Sequence, residues 1–343
     1  MRRKLFLLWG LLCVAGMVCI TASFLAGFYL GGPRRLPFTS RFGEWSIGIY
    51  EGSSPLALAP SSRVRNPVLT ARDVTDAQAL SIADPFMLHA NGKWHMFFEV
   101  LPHGANADIG LATSTDGLSW SYDRIVLNEP FHVTYPQVFR HEGAYYMIPE
   151  TNEDLSIRLY RADPFPTKWA LVRRLVSGYP YVDPTLFQHG NRWWLFASLK
   201  TNDVLYLFHA DRLEGPWQPH PANPIVRRDA RCARPAGRIQ QVDGRMFRLA
   251  QDDSTAYGSR IRAFEILALT PTEYREREVE MSPSLGASGS GWNAVGMHHL
   301  DAHHIGEGRW MASVDGCRSR LLLRERWLAP PRGAAQQDTA PEE

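Results

Sequence analysis

The sequence lacks an excess of charge of either sign: 37 Lys and Arg stand against 35 Asp and Glu in 343 residues. Nucleic acid is thereby excluded as a partner, because binding it requires clustered positive charge to neutralise phosphates. Cysteine is scarce, with four in all. Cys13 and Cys19 lie in an apolar stretch, so only Cys232 and Cys317 remain for the rest of the chain, as one disulfide or as two separate buried thiols. Charge is absent altogether from Leu5 to Leu30, a run long enough to cross a bilayer as a helix. A cleavable signal would be shorter and would end in a small-x-small site, whereas Trp9, Phe24, Phe28 and Tyr29 carry the apolar pattern to Gly31. The expectation is a cytoplasmic end at residues 1–4, a transmembrane signal anchor at 5–30 and a linker at 31–42, with the body outside the cytoplasm as a single-pass membrane protein.

What is present beyond that run favours strands. Phe, Trp and Tyr make up 11% of the chain, and 27 Gly and 24 Pro suit tight turns. Five segments repeat a strand–turn–strand pattern: ADPFMLHANGKWHMFFEV, YPQVFRHEGAYYMIPET, VDPTLFQHGNRWWLFASL, ARPAGRIQQVDGRMFRLAQD and MHHLDAHHIGEGRWMASVDG. Their turns hold Asn91-Gly92, Glu142-Gly143, Gly190-Asn191, Asp243-Gly244 and Glu307-Gly308, where Gly or Asn allows the positive φ of a hairpin. Pro85, Pro136, Pro184 and Pro235 recur at intervals of 51, 48 and 51 residues, and His299 takes the equivalent place in the last repeat. A period near fifty, with further strands at 108–114, 156–161, 204–210 and 260–266, predicts an all-β fold: a five-bladed β-propeller of four-stranded blades over 43–329, preceded by the one N-terminal transmembrane helix. Segments 45–50 and 321–327 are expected to complete or cover the last blade, and 330–343 reads as a disordered tail. Trp94, Trp193, Trp194 and Trp310 lie inside strands and read as inter-blade core.

The start of the first strand of a hairpin and the end of the second lie at the same sheet edge. One ring at one end of the propeller therefore holds Asp84, Tyr135, Asp183, Arg234 and His298/His299, and a second holds Glu99, Glu150, Ser198, Gln251 and Asp315. Ala83-Asp84-Pro85 and Val182-Asp183-Pro184 resemble the five-bladed propeller glycosidases, the clan of arabinanases, xylosidases and fructosidases. That resemblance implies a general base at Asp84 and a pKa-tuning carboxylate at Asp183. The same branch places its general acid Glu before a Pro at the start of the fourth blade, where this chain has Arg234-Pro235. ADPF, MIPET at 147–151, ARPAG at 233–237 and RLAQD at 248–252 are similar to the N-terminal domain family of plant glucosamine inositolphosphorylceramide transferase and its bacterial relatives. The plant transferase part follows that domain, so the resemblance implies no transferase chemistry in this chain.

Each candidate has an ordinary structural alternative. Asp84 and Asp183 could cap turn N–H groups, and Arg234 could form a cross-axis salt bridge rather than bind a carboxylate, phosphate or hydroxyl. Glu150, after Pro149, is the expected replacement acid, with Glu99 as the alternative or as a structural charge. Tyr135, Gln251 and Asp252 complete the expected substrate contacts, the acidic doublet Asp252-Asp253 being too common a pattern to indicate a metal. Strand alternation puts His299, Asp301 and His303 on one face, as sugar contacts or metal ligands. No cofactor is required, and a divalent cation at the axis is left open. The expected function is a membrane-anchored glycosidase-like enzyme hydrolysing an envelope polysaccharide or glycolipid by general acid–base catalysis, with Asp84 as base, Glu150 as acid and Asp183 as modulator. The alternatives are a glycan-binding propeller without activity, or an accessory component beside a separate glycosyltransferase.

Overall fold

The computed structural model describes residues 16–21, 23 and 39–323. Residues 16–21 are helical, with Met17, Val18 and Ile20 exposed, and no helix among the described residues is long and apolar enough to cross a membrane. The remainder of the expected anchor at 5–30, most of the linker and the tail at 330–343 lie outside the described residues.

The described chain opens with β1 (Thr39–Ser54) and β2 (Ala57–Pro60). Blade one follows as β3 (Ala79–Ala90), β4 (Lys93–Pro102), β5 (Asp108–Ser114) and β6 (Ser121–Leu127). Blade two is β7 (Thr134–His141), β8 (Ala144–Glu150), β9 (Ser156–Ala162) and β10 (Trp169–Ser177). Blade three is β11 (Tyr181–His189), β12 (Arg192–Leu199) and β13 (Val204–Ala210), with its outer position split between β14 (Gln218–Pro219) and β15 (Val226–Arg227). In blade four the inner position is split between β16 (Arg234–Pro235) and β17 (Gln240–Val242), followed by β18 (Arg245–Asp252), β19 (Arg260–Leu269) and β20 (Tyr274–Val279). Blade five joins β21 (Leu300–His304) and β22 (Trp310–Leu323) to β1 and β2, in the order β2-β1-β22-β21. The fold is an all-β five-bladed propeller with four strand positions per blade, closed by pairing strands from the two ends of the chain.

The turn residues explain the hairpins. Asn91-Gly92, Glu142-Gly143 and Asp243-Gly244 all take positive φ, the backbone that matches strand twist in a two-residue turn. Five apolar clusters then fill the five gaps between blades. Phe86, Phe97, Val138 and Met147 join blades one and two, Ile148, Trp193 and Leu195 join two and three, and Trp194, Phe196 and Ile266 join three and four. Leu249, Ala263, Leu300 and Val314 join four and five, and Ile47, Ile49, Met96 and Met311 close five onto one. Trp193 and Trp194 are buried, while Trp94 and Trp310 pack on the margins of their clusters. All five clusters lie within Glu44–Arg318, so this body carries its own complete core.

Two local expectations change. Residues 321–323 continue β22 rather than forming a separate strand, because the blade-five register runs on without a turn. The blade-four inner strand begins at Arg234 as expected, but the others begin elsewhere: β3 at Ala79, β7 at Thr134 and β11 at Tyr181, because Asp84, Tyr135 and Asp183 sit on register breaks inside them, and β21 at Leu300, after His298 and His299. Cys232 and Cys317 are free thiols, and burial pushes them up to about 11 and about 12.

All five inner strands start at one face, the mouth. Loops β4–β5, β8–β9, β12–β13 and β18–β19 open on it, as do the connections entering each inner strand. There Arg318 of β22 is ion-paired with Glu44 of β1 at 2.9 Å.

Candidate functional site

The mouth is shaped by strained backbone. Asp84, Tyr135 and Asp183 have φ of 53°, 50° and 48°, and the register of each inner strand slips across that residue and its proline. A residue before proline prefers extended backbone. Left-handed backbone in a non-glycine residue costs about 1–3 kcal/mol, so three at one ring mark a site where geometry is maintained against local preference.

At the first blade, Thr134 Oγ1 lies 2.7 Å from Asp84 Oδ2 and 2.7 Å from Glu99 Oε2. A hydroxyl has one proton to donate and carboxylates only accept, so contacts this short to both require one carboxyl to be protonated. Asp84 is the group poised for it: burial pushes its carboxyl up to about 7, with Asp183, Glu99 and Asp315 adding to the effect and His298 opposing it. Replacing Thr134 by the isosteric Val removes the hydroxyl that shares this proton. The expected cost is about 1–2 kcal/mol in denaturant unfolding, and an unchanged midpoint would reject the shared proton.

Asp183 anchors a second cluster. Arg234 donates Nε to Asp183 Oδ2 at 2.6 Å and Nη2 to Oδ1 at 3.3 Å, and Gln251 Nε2 donates to Oδ2 at 2.6 Å. Glu150 Oε2 accepts the Asp183 N–H at 3.0 Å and lies 3.8 Å from Arg234 Nη2, while Oε1 accepts from Asn152 Nδ2. Burial pushes Asp183 up, Arg234 pulls it down and Glu150 pushes it up again, leaving it at about 7. Arg234 also donates Nη1 to Asn202 Oδ1 at 3.1 Å and lies 5.2 Å beneath the Tyr257 ring. The side chains are almost closed off, at 1% exposure for Asp183, 4% for Glu150 and 13% for Arg234.

The third cluster belongs to blade five. Asp315 Oδ1 accepts the N–H groups of His298 and His299, each at 3.0 Å, and Oδ2 accepts that of Asp84 at 3.3 Å. His298 Nδ1 lies 2.6 Å from Asp315 Oδ2, a charge contact rather than an aligned hydrogen bond, and its ring stacks on Trp45 at 3.9 Å. Burial alone would push His298 down, but Asp315 and Asp84 outweigh it and the imidazole lies at about 9. The ligand atoms of Asp84, His298 and Asp315 lie within 4.8 Å of one another, the one such group among the described residues. A cation there would have to displace the proton that His298 holds so firmly, so this set suits an ion pair better than a metal.

The other expected residues divide by depth. Gln251 reaches the Asp183 cluster, whereas Asp252 turns to Arg260 and Arg262, which hold its carboxyl well below the usual range against the opposing effect of burial. Tyr135 is fully buried and its hydroxyl accepts the Gly237 N–H at 2.7 Å and meets Thr185 Oγ1 at 2.9 Å, bracing the ring from within. His299 and His298 both approach Asp84, at 3.8 and 4.0 Å, although alternation put them on opposite faces. They precede β21, and strand alternation does not apply before a strand begins. Both His299 ring nitrogens lack a partner, and burial pushes the imidazole down to about 4. Asp301 lies deeper, holding Arg238, the Met87 N–H and His303 Nε2, the last at 2.9 Å. His303 opens onto a cavity of 630 Å³ lined also by Leu88, His89 and Trp94, residues of the β3–β4 hairpin end. The trio His299, Asp301 and His303 is thus spread along the axis and not gathered into one site.

Sequence reasoning missed Thr134, Trp45, Asn202 and Tyr257. Asn202 and Tyr257 come from loops that open on the mouth, Thr134 opens β7 just before the repeated motif, and Trp45 lies on β1 far from its blade in sequence, so only a map of what faces the mouth would have found them. Nine buried polar side-chain atoms among the described residues make no aligned hydrogen bond, and those of Asn152, Asp203, Gln251, Asp253, His298 and His299 supply all but two. Buried polar groups are normally satisfied, so their concentration at one ring is a property of a polar binding site.

Residues 39–317 match the family described as Glucosamine inositolphosphorylceramide transferase 1, N-terminal. The chain belongs to this family. The curated rice protein Glucosamine inositolphosphorylceramide transferase 1 is 37% identical over 300 residues, which cover 80% of this chain and 40% of that protein. The chain therefore spans about 40% of the length of such relatives. Among solved structures, a thermostable family-43 glycoside hydrolase superposes with a TM-score of 0.57 at 11% identity, covering 74% of this chain and 93% of its own. An exo-1,5-alpha-L-arabinanase from a bovine ruminal metagenomic library gives 0.52 at 15%, covering 71% and 94%. These two likenesses establish the glycoside-hydrolase-like propeller fold.

Proposed function

We propose that the mouth of this propeller binds a glycan or a glycolipid headgroup without hydrolysing it, in support of a glycosyltransferase reaction. The observation that carries this reading is Arg234. It occupies the place where the glycosidase resemblance puts a proton donor, and its guanidinium is engaged with Asp183 and faces Glu150. Acetal hydrolysis needs one carboxyl to deliver a proton to the leaving oxygen and another to activate water or attack. Here Glu150 is held by Asn152 and the Asp183 N–H, and burial limits its access to a glycosidic oxygen. The partnerless polar atoms around it favour a polyhydroxyl ligand, with Tyr257 as an aromatic platform. The relatives' name supports a glycolipid headgroup containing inositol phosphate or an amino sugar. In this reading the apolar stretch at 5–30 anchors the chain in a membrane, with the propeller on the non-cytoplasmic side, and a separate glycosyltransferase is the partner.

One observation favours hydrolysis instead: the Thr134 hydroxyl lies 2.7 Å from both Asp84 and Glu99 and so brings two carboxyls together at the mouth. The body covering 39–323 should bind envelope glycans or glycolipid headgroups in calorimetry with no release of reducing sugar. Tyr257→Ala should weaken binding about tenfold, and chelation should leave it unchanged. Turnover by the wild type that disappears in Asp84→Asn and in either Glu99→Gln or Glu150→Gln would overturn the non-hydrolytic reading.

A further inference from the structure

We propose that the mouth face docks on an anionic lipid surface, so that its ligand is a headgroup still embedded in a bilayer. This deepens the reading above and rests on it for the identity of the ligand, but not for the docking itself. Within Glu44–Arg318 seven large apolar or aromatic residues are exposed: Leu155, Leu171, Val172, Tyr179, Tyr257, Leu267 and Val295. Leu171, Val172 and Leu267 lie on strands of the blade walls. The other four all stand on loops of the mouth, with exposures of 50% for Leu155, 60% for Tyr179, 39% for Tyr257 and 44% for Val295.

These four form two pairs on opposite sides of the axis. The Gly178 N–H donates to the Leu155 carbonyl at 2.8 Å, which brings Leu155 beside Tyr179 between blades two and three. Gly296 packs so closely on the Gly258 carbonyl that an added Cβ would approach it to 2.4 Å, which brings Val295 beside Tyr257 between blades four and five. Each pair joins an aliphatic tip to an aromatic ring with a polar hydroxyl. That combination suits the boundary between headgroups and acyl chains, where Tyr is at home and aliphatic tips gain by burial. A soluble oligosaccharide would use the rings but has no use for Leu155 and Val295.

Charge selects the surface. Lys200, on the β12–β13 loop, and Arg228, on the segment entering β16, are exposed on the arc between the two pairs, with no acidic partner among the described residues. The Asp229 N–H donates to the Asp203 carbonyl at 3.1 Å, which ties these two segments together. Basic residues at a membrane surface are each worth about 1 kcal/mol when the lipids are anionic.

The test is flotation of the 39–323 body with phosphatidylcholine vesicles, with and without phosphatidylserine. Wild type should float with the phosphatidylserine vesicles. The pair Leu155→Asp and Val295→Asp should reduce the bound fraction about tenfold or more, and Lys200→Glu with Arg228→Glu should abolish the dependence on phosphatidylserine. Leu267→Asp, equally exposed on the wall, should bind as wild type does. Failure of the wild type to float would overturn the proposal, as would an equal loss in Leu267→Asp. Flotation unaffected by the mouth substitutions would also overturn it and place the lipid contact elsewhere on the body. Calorimetry with a water-soluble headgroup glycan separates the two readings: Leu155→Asp/Val295→Asp should retain that binding, and its absence alongside intact flotation would reject the glycan site alone.

Discussion

Arg234→Met should cost about 3–5 kcal/mol of stability at pH 8, the usual consequence of removing one partner from a buried charge network. Arg234 is the cation beside Asp183 and Glu150, both of which are almost fully enclosed. Removing it leaves two carboxyls facing each other with only amide donors, Gln251 to Asp183 and Asn152 to Glu150. The loss should shrink as pH falls, because protonating Asp183 relieves the repulsion. Asp183→Asn in the same chain should restore much of it, and chemical denaturation of the four proteins in a double-mutant cycle gives the coupling directly. A loss below about 1 kcal/mol would mean that Arg234 is a surface-like pair and that its engagement with Asp183 does not define the site.

The second large effect is the dependence of stability on pH. In the folded protein Asp84 and Asp183 lie at about 7 and His298 at about 9, all above their ordinary values. Between the ordinary and the raised value of each group the folded state binds more protons than the unfolded state, so stability falls as pH rises. The carboxyls therefore contribute a decline from about 4 to about 7 and His298 one from about 6.5 to about 9. Asp301 and Asp315 act in the opposite sense, since their partners hold them below the usual range and their contribution is complete above the ordinary Asp value. His299, which burial holds at about 4, gains stability between about 4 and 6.5 and offsets one of the two carboxyls there. The melting temperature should therefore fall gently from near pH 4 to 6.5, most steeply between 6.5 and 7, and on towards pH 9, with each titrating group limited to about 1.4 kcal/mol per pH unit. Asp84→Asn should flatten the limb between 5 and 7, and a profile rising from 5 to 8 would reject the raised values.

The propeller was legible because its signals repeat. Asn91-Gly92, Glu142-Gly143 and Asp243-Gly244 have a local physical cause, and Pro85, Pro136, Pro184 and Pro235 give the period, so the five sheets follow from short-range chemistry. The polar rings were legible for the same reason, as positions within that repeat. What lies between the rings was not. The expectation that Asp84, Tyr135 and Asp183 begin extended strands is what X-Pro chemistry favours, and tertiary structure overrides it with left-handed backbone at all three. Nothing local announces that Thr134 bridges Asp84 and Glu99, or that Trp45, far from the blade-five hairpin in sequence, stacks on His298. Those contacts exist only once the ring is closed.

The way the ring closes has a further consequence. Because β1 and β22 are neighbours and Glu44 pairs with Arg318, the chain enters and leaves the blades at one point on the rim. A segment joined at either end is then leashed to the mouth and not to the far side. Over a short flexible leash the effective concentration of an attached domain is in the millimolar range. Any domain joined after β22 would therefore meet the mouth as an intramolecular neighbour, and even a weak contact between the two would be well populated.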